Sequence, residues 1–338
     1  MSTEQVVIIA EAGVNHNGDM ATARKLIEVA ANADADFVKF QTFTAESLAT
    51  SDAPKAEYQK QATASANQSQ LELLRSLELS KEQHLELIEH CQKVGIKFLS
   101  TGFDLASLDM LFELGVRLFK VPSGELTNLP YLEHMAKFQC PVYLSTGMTT
   151  LEEVKWAVEA LVSAGLPRLK ISVLHCTTAY PTPINQANLR AIGTLHDDLG
   201  LPVGYSDHTT GLQASFTAVA LGATIIEKHF TLSREQEGPD HRASLEPDEL
   251  SELVRGIREI SSALGTGIKA PQESELANIP IARKSIVASK IIEAGEKFTA
   301  DNLTTKRPGT GISPTKWHEV IGKTAPRSFN ADEMISLE

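Results

Sequence analysis

The sequence has no run of Lys and Arg, no C-x-x-C pair, and no apolar stretch near the ~20 residues that a membrane-spanning helix requires. Its 31 Lys and Arg stand against 43 Asp and Glu, a formal net charge of -12. That balance excludes non-specific binding to nucleic acid or to an anionic membrane, since both need a basic face. An anionic ligand must instead be met by a local cluster of cations. The three cysteines, Cys91, Cys140 and Cys176, lie in apolar or helical segments, and an odd count fits a reducing compartment. The start, MSTEQVVIIAEAG, enters a strand without a basic-then-apolar leader, so the expectation is a cytoplasmic protein.

What the sequence does contain is a rhythm. Eight short apolar runs, Val6–Glu11, Asp36–Gln41, Ile96–Thr101, Arg117–Ser123, Pro141–Gly147, Leu169–His175, Leu201–His208 and Thr224–His229, close on or beside a polar, ionisable or hydroxyl side chain. Stretches of helical periodicity separate most of them, with capping signals at Ser80/Gln83 and Thr150/Glu153 and stops at Gly95 and Gly165. The repeat predicts an α/β fold, a (β/α)8 TIM barrel, whose strands are buried on both faces and so read as continuous apolar runs. In such a barrel the C-terminal ends of the strands form one rim. Glu11, Lys39, Gln41, Thr101, Lys120, Ser123, Ser145, His175, Ser206, His208, Glu227 and His229 are therefore predicted to converge on one pocket.

Two segments break the rhythm. Residues 42–79 form an Ala/Ser/Gln-rich excursion where a βα loop usually takes about 2–6 residues. On the catalytic rim it reads either as a lid or as a helical excursion packed on the rim. After Gly265, GTGIKAPQESELANIP is linker-like, and Arg283–Glu338 carries short β-like runs broken by turns, with a helical stripe only at Lys316–Ile321. The expected domains are a catalytic barrel over 1–265, a linker over 266–282 and a small mostly-β module over 283–338, marginal by itself.

His208 and His229 close adjacent strands, so two imidazoles could reach one ion, with Glu11 or Glu227 adding oxygen. That donor set suits Mn²⁺ or Zn²⁺ better than Ca²⁺. A lone histidine is more often structural; the pairing is what raises the metal reading. Lys39 and Lys120 sit inside apolar strands, where an uncompensated ammonium is costly. Three explanations stay open. The lysines could bind a phosphate or carboxylate together with the hydroxyls of Thr101, Ser123, Ser145 and Ser206; one could form a Schiff base with a carbonyl substrate; or each could pair with a neighbouring strand's Glu. The hydroxyls favour the anion site. Glu11 and Glu125 are candidates to orient a water or a sugar hydroxyl, and Asp240 and His241 to hydrogen-bond a polyol.

Taken in order, AEAGVNHNGD, VKFQTF, STGFD, KVPSGEL, LSTGM, LHCTTAYPTP, GYSDHTTG, EKHFTL and GPDHRASLEPDEL resemble the sialic acid synthases over nearly the whole chain. The terminal KRPGTGISP resembles their antifreeze-like (SAF) domain. The resemblance implies condensation of phosphoenolpyruvate with an N-acylated mannose-type sugar, giving a nine-carbon 2-keto acid and phosphate by carbon–oxygen cleavage. N-acetylmannosamine is the first expectation, and the 2,4-diacetamido-trideoxy hexose of legionaminate or pseudaminate synthesis is the alternative. The resemblance also implies a divalent ion on His208 and His229, Mn²⁺ first and Mg²⁺ or Co²⁺ as alternatives. It places phosphoenolpyruvate on Lys39, Lys120, Thr101, Ser123, Ser145 and Ser206, and the sugar on Glu11, Gln41, Tyr180, Asp240 and Arg307, with Glu125 positioning a water. A domain-swapped homodimer is implied, in which Arg307 reaches the neighbouring subunit's sugar. Gly102 stands where the family often has Pro, and Thr178 where some members have Asn. A Schiff-base aldolase on the same barrel is the competing enzyme. A sugar- or ice-binding scaffold, suggested by the likeness of the terminal module to type III antifreeze proteins, would leave both lysines and both histidines without a purpose.

Overall fold

The structure is a computed structural model and describes residues 5–50 and 69–338. Eight parallel strands form one sheet: β1 (Val7–Gly13), β2 (Phe37–Thr42), β3 (Lys97–Gly102), β4 (Phe119–Val121), β5 (Val142–Ser145), β6 (Ile171–Cys176), β7 (Val203–Asp207) and β8 (Ile225–His229). Hydrogen-bonded order is β3-β2-β1-β8-β7-β6-β5-β4, and β3 and β4, at the two ends of the ladder, pack side by side and nearly close the ring. Helices fill the outer layer. Those over Lys81–Val94 and Leu151–Ser163 open with full capping boxes at Ser80/Gln83 and Thr150/Glu153, so their first N–H groups have partners before any packing. Their apolar faces join the outward side chains of the strands in one apolar core.

Inside the ring a period of two governs what each strand presents. Val7, Ile9, Phe37, Leu99, Leu118, Tyr143, Leu174 and Ile225 form a separate apolar cluster at the base of the barrel. Two residues further along, the same inward face turns polar: Glu11 follows Ile9, Lys39 follows Phe37, Thr101 follows Leu99, Lys120 follows Leu118, Ser145 follows Tyr143 and Glu227 follows Ile225. Gly204 holds the base together by what it lacks: a Cβ there would stand 2.5 Å from Leu174 Cδ2 and 2.6 Å from Ile225 Cβ.

The excursion after β2 ends in a helix, Gln70–Leu77, opened by a Ser69/Glu72 capping box. It buries Leu73 and Leu77 against Val14 and Phe43, with Phe103 at the edge of the cluster, so its described end packs on the rim. The part of the predicted lid at residues 51–68 lies outside the described residues.

The chain divides into two compact units, Met1–Thr266 and Gly267–Glu338. In the second, β9 (Ser285–Ala288) and β10 (Leu303–Lys306) pair antiparallel over a small core that includes Ile286, Ile292, Phe298, Val320 and Phe329. The predicted helical stripe is present as Trp317–Val320, and the linker-like segment holds two short helices, Glu273–Leu276 and Ile279–Ala282. Among the described residues no helix is long and apolar enough to cross a membrane.

Candidate active site

The polar layer above the base cluster is an ion-pair network. Lys39 Nζ stands 2.7 Å from Glu11 Oε2 and 3.5 Å from Glu227 Oε2, and donates to Thr101 Oγ1 at 2.9 Å. Lys120 Nζ donates to Glu227 Oε1 at 3.0 Å, and Ser206 Oγ donates to the same oxygen at 2.7 Å. All these side chains are buried. Burial works against the charge of Lys39, yet Glu11 and Glu227 together raise its pKa above the ordinary lysine value. Burial likewise opposes ionisation of Glu227, but Lys120 and Lys39 hold its carboxyl far below the usual range. Glu11 moves the other way: burial raises it, Lys39 only partly offsets this, and the charge of Glu227 adds to the rise. A lysine with a raised pKa is a poor Schiff-base nucleophile, which counts against that role for Lys39.

Above the network is a cavity of about 210 Å³. Its walls include Glu11, Lys39, Gln41, Thr101, Lys120, Ser123, Ser145, Tyr180, Ser206, His208, Glu227 and His229. Ser145 Oγ and His229 Nδ1 are buried without a hydrogen-bond partner, and Glu11 Oε2 and Glu227 Oε2 face Lys39 as ion pairs without hydrogen-bond geometry. Buried polar atoms left open in a cavity are where a polar ligand gains most. Ser123 Oγ accepts from Gly147 N at 3.0 Å and lies 3.2 Å from Cys176 Sγ; Gln41 Nε2 donates to Glu11 Oε1 at 3.4 Å. Gly13, at φ 55°, keeps space open beside them, since a Cβ would come within 3.3 Å of Glu11 Oε1 and 3.4 Å of both Gln41 Nε2 and His229 Cε1.

The histidines sit side by side, ring centroids 5.6 Å apart, with Tyr180 against both at 4.3 and 5.8 Å. His208 Nδ1–H donates to Thr177 O at 2.8 Å, which leaves Nε2 as the lone-pair nitrogen. Burial lowers the pKa of His208 to about 4, and burial followed by the neighbouring His208 lowers that of His229. Neutral imidazoles are the form a metal takes, and the unpartnered His229 Nδ1 leaves that ring uncommitted, so the pair fits a divalent ion. Among the described residues no group of three His, Cys, Asp or Glu surrounds one point, so water and substrate would complete the coordination. Asp240 lies behind His229, 3.8 Å from Nδ1, with its pKa raised by burial to about 6.

Other predicted residues fall elsewhere. Glu125 accepts from Asn128 Nδ2 at 2.6 Å in the turn after β4 and does not line the cavity. Arg307 belongs to the second unit, where its Nε donates to Ala282 O at 3.0 Å. His175 was expected on the pocket and is not there. Leu174 takes the inward position on β6, so His175 points outward, stacks on Tyr205 and donates from Nε2 to Ala187 O at 2.8 Å. His241 is wholly buried and engaged with Thr231 Oγ1 at 2.6 Å, a structural contact. Glu227, expected on the rim and as an oxygen donor to the ion, bridges both lysines, so the open reading that the lysines pair with glutamate is realised here. The signal was its spacing, two residues before His229 on one strand.

Comparison with known proteins adds the following. The NeuB family matches residues 26–269, and the SAF domain matches residues 283–338. The chain is 53% identical to the N,N'-diacetyllegionaminic acid synthase of Campylobacter jejuni, over 98% of this chain and 99% of that protein. It is 44% identical to the enzyme of the same name from Legionella pneumophila, over 98% and 93%. The solved N-acetylneuraminic acid synthetase of Leptospira borgpetersenii is 38% identical, with a TM-score of 0.73 over 82% of this chain and 91% of that one.

Proposed function

The chain belongs to the NeuB family, whose synthases condense phosphoenolpyruvate with a sugar, and from that footing we propose that its acceptor is a 2,4-diacetamido-trideoxy hexose and its product a legionaminate-type nonulosonate. The observation that carries the choice is the 53% identity to a diacetyllegionaminic acid synthase over 98% of the chain, against 38% to the neuraminic acid synthetase. N-acetylmannosamine, the first expectation from sequence, becomes the second acceptor.

Lys39 and Lys120, with the hydroxyls of Thr101, Ser123, Ser145 and Ser206, receive the phosphate and carboxylate of phosphoenolpyruvate. Their charge is preorganised, because Glu11 and Glu227 hold the ammonium groups in place. A divalent ion on His208 and His229, Mn²⁺ by preference, would supply Lewis-acid polarisation of the acceptor aldehyde. Glu11 lines the cavity with a raised pKa, so it is placed to hold or pass a proton at the acceptor hydroxyl. Glu125, outside the cavity walls, gives up the water-positioning role to Glu11. Gln41 and Tyr180 line the sugar side of the same cavity, and Asp240 supports it from behind His229. Three buried free thiols suit a cytoplasmic setting.

We extend the proposal to a homodimer in which Arg307 completes the partner's acceptor site. Arg307→Ala and His208→Ala, each inactive, would then regain activity on co-refolding; no recovery despite confirmed subunit exchange rejects action in trans. The acceptor assignment is tested by kcat/KM on both sugars, with the product identified by mass. A higher kcat/KM on N-acetylmannosamine rejects it.

A further inference from the structure

Every strand of the ring but one presents a charged or hydroxyl side chain to the polar layer. The exception is β6. Two residues beyond the inward Leu174 it presents a thiol, Cys176, which is buried and lines the central cavity.

The thiol has one hydrogen-bonding neighbour, and that neighbour is a hydroxyl assigned to the anion. Cys176 Sγ lies 3.2 Å from Ser123 Oγ, which also accepts from Gly147 N at 3.0 Å. Gly147 makes the meeting possible: a Cβ there would stand 2.2 Å from Thr178 Oγ1, 2.8 Å from Ser123 Oγ and 3.1 Å from Cys176 Sγ. A serine hydroxyl has one proton and two lone pairs. Gly147 N–H fills one lone pair and, being a donor, cannot take the proton. The thiol can do either job, since S–H is a weak donor and sulfur a weak acceptor. Without an anion, Ser123 O–H donates to Sγ and is loosely held. With an anion, the O–H turns to the stronger, charged acceptor, and Cys176 S–H takes over as donor to the second lone pair. Ser145, on the neighbouring strand β5, marks the same wall independently: its Oγ is buried, lines the cavity and has no partner among the described residues.

We propose that Cys176 is a positioning residue for phosphoenolpyruvate: its thiol exchanges the acceptor role for the donor role toward Ser123, and so releases that hydroxyl to donate into the cavity. Sulfur itself forms no bond to substrate. The inference rests on the anion role given to Ser123 above and deepens it.

Full-length enzyme with its divalent ion would be assayed at a saturating level of whichever of the two sugars the wild type turns over faster. The variants are Cys176→Ala, Cys176→Ser, Ser123→Ala and the double variant with alanine at both positions. Cys176→Ala should raise the KM for phosphoenolpyruvate about two- to tenfold, the worth of one neutral hydrogen bond, and leave the KM for the sugar unchanged. Cys176→Ser should recover part of the loss. In the Ser123→Ala background, Cys176→Ala should add nothing, because the thiol acts only through the hydroxyl. The infrared S–H stretching band of Cys176, isolated as the difference between wild type and Cys176→Ser, should move to lower frequency on addition of phosphoenolpyruvate and stay in place in Ser123→Ala. A band that does not move in wild type, an unchanged KM in Cys176→Ala, or the same rise in both backgrounds overturns the positioning role. Ser123→Ala reads the underlying assignment separately. If it leaves the KM for phosphoenolpyruvate unchanged, the anion role of Ser123 fails and the role of Cys176 with it; if it raises the KM while Cys176→Ala does not, the anion role stands and only the positioning role is rejected.

Discussion

Glu227 and Lys228 are consecutive on β8, and each belongs to a buried lysine–carboxylate network, one inside the barrel and one outside it. Outside, Lys228 Nζ lies 2.8 Å from Asp207 Oδ2 and donates to Thr209 O at 2.8 Å. Asp207 accepts in addition from Thr209 N and Thr209 Oγ1, both at 2.8 Å, and from Ser215 Oγ at 2.6 Å. Each carboxylate oxygen has its donors, and burial lowers the Lys228 pKa despite Asp207. Inside, Lys39 and Lys120 share two carboxylates, and Ser145 Oγ and His229 Nδ1 stay unpaired beside a cavity. Both networks are equally buried, so burial does not separate structural charge from functional charge. Completeness of pairing does. The outer network is finished by the fold; the inner one is left for a ligand to finish.

That contrast can be broken by exchanging the expected consequences. The largest effect is expected at Lys228→Met, which leaves Asp207 charged, buried and unmatched; it should cost about 3–5 kcal/mol of stability in urea unfolding. Replacing both partners, Lys228→Met with Asp207→Leu, should restore much of it. A silent Lys228→Met would mean that the outer network is not structural. Next, Lys120→Met should lower kcat/KM for phosphoenolpyruvate by about 10²–10³-fold, with the unfolding midpoint far less affected than in Lys228→Met. Stability loss comparable to that variant would erase the distinction.

The third effect depends on pH. Burial, then His84, lowers the His16 pKa to about 4, and burial lowers that of His241 to about 4; neither lines the central cavity. His16 Nδ1 accepts from Gly18 N at 3.0 Å, so charging the ring turns two donors on each other. The unfolded chain protonates near the ordinary value of about 6.5. The stability contributed by the neutral histidines is therefore complete above pH 6.5 and drains as the pH falls toward 4. Urea midpoints across that window should decline, and less so in His16→Gln; a flat profile would contradict it. The smallest effect is at Gly13→Ala. Strain at φ 55° costs about 1–2 kcal/mol, and the added methyl crowds Glu11, Gln41 and His229, so the acceptor KM should rise while that of phosphoenolpyruvate holds.

The barrel was legible because eight apolar runs with helical spacers admit few other folds, and Lys39 and Lys120 stood out because ammonium groups are expensive in such runs. Parity was not legible. Strands buried on both faces carry no polar alternation, so nothing in LHC told that Leu174 faces in and His175 out. Glu227 was expected on the rim, but β8 borders neither β2 nor β4, so its reach across the barrel to both lysines could not be read from strand adjacency. Glu125 and Arg307 lie beyond the strands, in a turn and in the second unit, where strand periodicity says nothing about direction. The excursion after β2 was recognisable by length, and the capping box at Ser69 shows how its described end becomes a helix.

The ladder begins at β3 and ends at β4, and these two strands carry Thr101 and Lys120. The joint of the ring therefore runs through the polar layer that lines the central cavity. Subglobal opening should begin where two strands touch without a shared ladder, and amide hydrogen exchange should report it there first. A ligand spanning Lys39 on β2 and Lys120 on β4 would bridge that joint noncovalently. Substrate would then act as a clasp, slowing exchange along β3 and β4 more than along β7.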